Sequence, residues 1–364
     1  MLNKLLSITT FLTAAVATED LYHLDTTFVP QFPPGTHTFS AVGVYKQNLY
    51  VTQRGNASIP PVLTLSTTDG TSLSPPFGAD YLAPGGAHGI AIEICNYACA
   101  PADPLPFLRL WVEDFTNHTL TALTSQGDLI VQIGTPGLAG NSTDPLQFGN
   151  IADAVVVPGA STPVYEAAHV YATDGDGGYA NRVVKINIPA DESQLPFTEW
   201  ATGHVFNDPH SITLHTQSQL LIVADRGQQA LKLIDTNNGT VLGIYNCGLQ
   251  FGKGYGVPFG VRTMVYGGRD LLFVASMDNP QDHMYQKISV LDVSELNAKD
   301  GVHSNCHVVQ TIEIEPKKYS GRIVSRWDES QISSVVFLRS FSSRNCVRID
   351  ECKFFRNTRS KWSI

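Results

Sequence analysis

One short strand recurs along the 364 residues: Leu49-Tyr50-Val51-Thr52-Gln53-Arg54, Trp111-Val112-Glu113-Asp114, Val170-Tyr171-Ala172-Thr173-Asp174, Ile222-Val223-Ala224-Asp225 and Phe273-Val274-Ala275-Ser276. Aligned on Val51, Val112, Ala172, Val223 and Val274, the copies stand about 50 to 60 residues apart. Three copies lead through a turn into another apolar strand, at 119–123, 182–186 and 230–235, and the last of these into a fourth at 241–245. Such a unit must stack on copies of itself to bury its faces, and four short strands per copy describe a β-propeller blade. A sixth, less regular copy fits Ser334-Val335-Val336-Phe337-Leu338 and Asn345-Cys346-Val347-Arg348-Ile349. The expectation is an all-β, six-bladed β-propeller over residues 18–355, closed by pairing the segment near Tyr22 to Phe28 into the last blade. A basic tail follows over 356–364.

Composition agrees. Thirty Gly and 21 Pro, with no long run of helical period, suit many short strands and turns. A net charge of −9 lacks the electrostatic footprint of a phosphate-backbone binder, so no nucleic acid partner is expected. The N-terminus pairs Lys4 with an apolar run from Leu5 to Val16 and a small-residue exit at Ala15-Val16-Ala17, which reads as a secretory signal over 1–17. That run is too short to span a bilayer comfortably and no second one approaches that length. A secreted, soluble monomer without a membrane span is expected.

Export brings two further expectations. Asn56, Asn117, Asn141 and Asn238 each open a glycosylation sequon. Cys95 and Cys99 are close enough to close a small disulfide loop, whereas a zinc knuckle would need a second Cys or His pair. The partners of Cys247, Cys306, Cys346 and Cys352 do not follow from the sequence.

The chemistry-bearing residues sit where a propeller gathers ligands, at the openings of the innermost strands. His88 in Ala87-His88-Gly89-Ile90 and His210 in Pro209-His210-Ser211-Ile212 occupy one slot of the repeat. Alternate blades of a six-membered ring stand about 120° apart, so such side chains converge. Three imidazoles and an open position suit a catalytic zinc. In the last copy the slot reads Tyr319-Ser320-Gly321-Arg322, without a histidine. One histidine alone reads first as a hydrogen-bonded channel or core residue; two in equivalent slots bring the metal reading level with that one. Asp174-Gly175-Asp176 lacks the third acid and distal Glu of a calcium loop and is not read as a metal site.

Several ordered motifs now carry a resemblance: Gln53-Arg54-Gly55, Trp111-Val112-Glu113-Asp114 with His118, Gly134-Thr135-Pro136-Gly137 before Ile151-Ala152-Asp153, Pro209-His210-Ser211 and Ala224-Asp225-Arg226-Gly227. In register from about Val42 to Asp235, the chain resembles the NHL-repeat peptidyl-α-hydroxyglycine α-amidating lyases. The resemblance implies cleavage of the N–Cα bond of a C-terminal α-hydroxyglycine, releasing the peptide amide and glyoxylate. It implies His88 and His210 as zinc ligands, and Arg54 and Arg226 at the substrate. Tyr179 in Gly177-Gly178-Tyr179-Ala180-Asn181-Arg182 becomes the base, displaced by an insertion relative to the family's run. A structural calcium held partly by the backbone carbonyls of Val42 and Ile90 is implied as well. The peptide substrate would come from a separate copper monooxygenase. The alternative function is a catalytically inactive secreted propeller that binds a peptide or protein at the channel mouth.

Overall fold

A computed structural model describes residues 22–25, 30–36, 39–95, 107–157, 168–189, 196–203, 205–251, 256–277, 286–296, 306–314, 345–348 and 353–357. Five four-stranded antiparallel sheets follow one another, each ordered first to fourth strand as in the chain. Blade 1 is Phe39–Tyr45, Asn48–Gln53, Val62–Ser66 and Ser72–Phe77. Blade 2 is Ala87–Cys95, Phe107–Asp114, Thr119–Thr124 and Leu129–Ile133. Blade 3 is Ile151–Val157, Ala168–Asp174, Arg182–Ile188 and Phe197–Ala201. Blade 4 is Pro209–His215, Leu220–Asp225, Ala230–Asp235 and Val241–Ile244. Blade 5 is Val257–Tyr266, Arg269–Met277, Gln286–Asp292 and His307–Ile314.

The fold is an all-β propeller, but the described residues hold five such blades rather than six. The remaining sheet has three strands, with Tyr22–Asp25 pairing antiparallel to Lys353–Asn357 and that strand pairing to Asn345–Arg348. The count falls short because 334–338, read as a strand of the sixth copy, lies outside the described residues. So do 1–17, the slot at Tyr319 to Arg322, and Cys99, and with it the expected Cys95–Cys99 bond. The two chain ends still meet in one sheet, and the strand ending at Asn357 runs two residues into the segment read as tail.

Apolar layers between blades hold the structure together. Leu220, Ile222 and Ala224 pack with Val261, Leu272 and Val274 of blade 5. Their neighbours Leu221 and Val223 pack with Tyr171 and Val183 of blade 3. A strand buried on both faces needs apolar residues at every position, because successive side chains point to opposite faces. That is why the repeat is legible as an uninterrupted run. Burying one such Leu or Ile contributes about 1.5–3 kcal/mol. Trp111, fully buried between blades 2 and 3, is the position where truncation would cost most, about 3–5 kcal/mol.

Among the described residues, the first strands of blades 1 to 5 lie side by side in order. They enclose a channel cavity of about 390 Å³, lined by Val42, Ile90, Ala154, Leu214 and Arg262 among others. Every first strand carries a bulge near its start, between Phe39 and Ala41, Ala87 and Ile90, Ile151 and Asp153, Pro209 and Ser211, and Pro258 and Gly260. A bulge turns one residue out of the pleat and re-aims it. The residues so placed include His88, Ala152, His210 and Phe259.

Candidate metal centre at the channel mouth

The aspartate ending each middle second strand fixes the approach to this slot. Asp114 accepts the Ala83 N–H at 2.6 Å, Asp174 those of Gly149 and Asn150 at 2.8 and 2.9 Å, and Asp225 that of Asn207 at 3.1 Å. Each ties down the segment that enters its own blade's first strand. The recurrent Asp of the repeat therefore acts on backbone, and the bulge residue is what it positions.

His88 and His210 both point into one buried space, with ring centroids 5.4 Å apart. His88 Nδ1 lies 2.7 Å from the carbonyl oxygen of Ala152, and His210 Nδ1 lies 2.9 Å from that of Phe259. In both cases the acceptor is the bulge residue of the next blade. A carbonyl accepts only, so each Nδ1 carries the proton, and in the neutral imidazole the lone pair falls on Nε2. Neither Nε2 has a hydrogen-bond partner, although both are buried.

The third group of the cluster is Asp176. Its Oδ2 is 3.1 Å from His88 Nε2, without hydrogen-bond alignment, and its Oδ1 is 4.0 Å from His210 Nε2. One donor atom from each of His88, Asp176 and His210 falls within 4.8 Å of the other two. Asp176 opens a single 3-10 turn, Asp176–Gly178, beyond the second strand of blade 3. Gly177 and Gly178 take positive φ there, and Asn150 Nδ2 donates to the Asp176 carbonyl at 2.6 Å. Gly175 is required for close approach: a Cβ would stand 2.3 Å from Pro209 Cδ. The glycine-rich connection thus folds a carboxylate back over both histidines.

The electrostatics match. Burial alone would raise the Asp176 carboxyl, but His88, His210 and Arg226 together outweigh it and hold the group below the usual carboxylate range. Burial, with the Arg226 charge beside it, pushes His210 down to about 3 against the opposing pull of Asp176. Two imidazole lone pairs and a carboxylate face one point, a donor set that a divalent cation satisfies and that is self-repelling without one. Two histidines with one carboxylate form a recognised catalytic zinc set.

Arg226 anchors the carboxylates, with Nη2 2.7 Å from Asp176 Oδ1 and Nε 2.6 Å from Asp208 Oδ2. Its guanidinium also lies 5.0 Å from the centroid of Phe259, whose ring meets His210 at 5.1 Å. Arg54, at the equivalent position of blade 1, stands by the other histidine: it lies 5.4 Å from the Phe115 centroid, and Phe115 stacks on His88 at 5.9 Å. Arg54 Nε also donates to the Gly85 carbonyl at 3.1 Å. Each histidine is thus flanked by a phenylalanine bearing an arginine.

Tyr179 follows the Asp176 turn, but its ring lies against Gly149 and is 57% exposed. His118 Nδ1 bonds the Gly149 carbonyl beneath it. The structure therefore brings together His88, His210 and Arg226, sets Arg54 one ring away, and leaves Tyr179 outside the cluster. Val42 and Ile90 line the channel on adjacent first strands. Asn141 and Asn238 are exposed, while Asn56 and Asn117 are half-buried. Cys247 and Cys306 form a disulfide of 2.06 Å, closing the loop after blade 4 onto the last strand of blade 5.

No protein-family model matches the chain. It is 32% identical over 307 residues to NHL repeat-containing protein 3 of Homo sapiens, covering 81% of this chain and 75% of that protein. The Mus musculus protein of the same name is 32% identical over 278 residues, covering 73% and 66%. The chain belongs to the NHL-repeat propeller family. Among solved structures, a chain of a nidogen–laminin complex superposes on this NHL-repeat propeller with a TM-score of 0.44 at 12% identity, over 82% of this chain and 93% of that one. Membership explains the repeat. Asp176, by contrast, comes from the connection 175–181 between the second and third strands of blade 3. No helix among the described residues is long and apolar enough to cross a membrane.

Proposed function

We propose that this chain is a secreted zinc protein of the amidating-lyase type, in which His88, His210 and Asp176 hold the metal. The three-stranded sheet at the chain ends takes the place of the sixth blade in that reading. What carries it is the pair of buried Nε2 atoms without hydrogen bonds, aimed at one carboxylate. Zinc, when bound, would supply Lewis acidity to the hydroxyl of a C-terminal α-hydroxyglycine, lowering its pKa.

The chain's own residues do the rest. Arg54, steadied on Phe115, pairs with the substrate carboxylate. Arg226 holds Asp176 and Asp208 in place beside the substrate's path into the mouth. Tyr179 reaches the hydroxyl proton once its turn swings inward from Gly149. Loss of that proton, cleavage of the N–Cα bond and protonation of the departing nitrogen give the amide and glyoxylate in balance. The hydroxylated peptide comes from a separate copper monooxygenase.

A second reading, a propeller that binds a peptide end without chemistry, is favoured by the outward placement of Tyr179 and by the engagement of Arg226 with two carboxylates. Glyoxylate release from an α-hydroxyglycine peptide, with and without added zinc, separates the two. Zinc-dependent product that disappears in His210→Ala supports the lyase. Stoichiometric zinc and peptide binding without product supports the binder, and absence of zinc binding overturns the metal site itself.

A further inference from the structure

We propose that the guanidinium of Arg262 is the channel's resident cation and that this propeller takes no calcium at the channel carbonyls of Val42 and Ile90. Arg262 comes from the first strand of blade 5 and lines the same cavity as those two residues. Its Nη1 and Nη2 meet Asp153 Oδ2 and Oδ1 at 2.6 and 2.7 Å, a bidentate pair across the channel wall from blade 5 to blade 3. Nη1 also donates to the carbonyls of Ile212 and Val261, at 3.0 and 2.8 Å.

Asp153 is as fully engaged as its partner. Besides the two guanidinium contacts, Oδ1 accepts its neighbour's N–H at Ala154, and Oδ2 accepts the Ser211 hydroxyl at 2.6 Å and the Ile212 N–H at 3.1 Å. Five donors meet a carboxylate with about four lone-pair sites, so none is left for a metal. Calcium takes six to eight oxygens, carboxylates among them. The other acid here, Glu113 of blade 2, is fully buried with neither oxygen hydrogen-bonded. It packs beside Gly89, where a Cβ would stand 2.3 Å from its Oε2. Burial and the adjacent Asp153 charge raise its carboxyl well above the usual range, partly offset by Arg262. One fixed positive charge thus serves two acids: Asp153 meets it in a bidentate pair, and Glu113 lies beside that pair with its carboxyl pushed up. A divalent ion entering the channel would meet a guanidinium at close quarters, and like charges repel there more strongly than in water.

The test holds zinc fixed and uses the full chain, so it is independent of the mouth site. Thermal melts and equilibrium dialysis with calcium chloride or a calcium-selective chelator are expected to show the same melting temperature and no stoichiometric calcium. In Arg262→Met, Asp153 and Glu113 are left facing each other without a cation. That variant is expected to melt lower and to regain several degrees with calcium, taking up one equivalent more than the parent. Adding Glu113→Gln to it should abolish the regain. Arg262→Lys retains a charge and should stay calcium-insensitive, which keeps the comparison available if Arg262→Met does not fold. Stoichiometric calcium binding by the unaltered chain with a raised melting temperature would overturn the proposal, as would a calcium-responsive Arg262→Lys.

Discussion

At the mouth, His88 and His210 each commit Nδ1 to a carbonyl of the next blade and leave Nε2 without a hydrogen bond. On the neighbouring inner strands, those of blades 3 and 5, Asp153 accepts five hydrogen bonds and Arg262 bridges blades 3, 4 and 5. Both clusters are buried, polar and assembled from different blades, so burial and charge alone do not tell them apart. What differs is saturation. A buried polar atom without a partner costs about 1–3 kcal/mol. The two Nε2 atoms face an ion-paired carboxylate, a donor set that fits a cation, whereas the two bare oxygens of Glu113 belong to a carboxyl that burial and Asp153 push well above the usual range. A saturated pair fixes the blades to one another and leaves nothing to bind.

The contrast breaks first on Asp153→Ala. Removing one member of a buried pair leaves the Arg262 guanidinium uncompensated, so the expected loss is about 3–5 kcal/mol in urea unfolding, with zinc affinity unchanged. A loss below about 1 kcal/mol would mean that the channel cluster is not structural. At the mouth the pattern inverts. His210→Ala is expected to weaken zinc by at least about 100-fold in a chelator competition, beyond what loss of an outer-shell partner does. The metal-free variant should lose less than the channel variant, about 1–3 kcal/mol, since one Nδ1 hydrogen bond goes together with the ring's packing on Phe259. Asp176→Asn keeps an oxygen donor but not the charge, and is expected to weaken zinc by about 10- to 100-fold. If it left zinc untouched, the third ligand would lie elsewhere.

The blades and the histidine slot could be read directly because both repeat. Strands such as Leu220–Asp225 are buried on two faces, so their apolar runs stand out, and His88 and His210 share a bulge that recurs in every first strand. Asp176 could not be read that way. It lies in the connection after the second strand of blade 3, outside the repeated strands, and a glycine-rich turn closing on Asn150 and Pro209 is what returns it to the histidines. The only trace was the density of glycines around two acids, which resembles a poor calcium loop. Tyr179 shows the converse: the right residue type near the right motif, yet turned onto Gly149. Arg262 stands in no repeated motif, and its partner Asp153 is far away in sequence, so their pairing follows only from the closure of the ring.

The smallest effect comes from Glu113→Gln, and it tests whether the channel is as complete as Asp153 makes it look. A carboxyl whose folded pKa is raised stabilises the fold relative to an ordinary one only below its unfolded value, about 4.3. That contribution is lost as pH rises from there through the folded pKa. The groups facing it are Asp153 and Arg262, held to each other in a bidentate pair. In acid, where Glu113 is protonated in both states, the near-isosteric glutamine should change stability by less than about 1 kcal/mol. With rising pH the parent chain should lose stability relative to Glu113→Gln, and the two unfolding curves should diverge steadily. Parallel curves would mean that Glu113 is ionised in the folded chain, which requires a second cation beside it. The saturation that separates the channel from the mouth would then be only apparent.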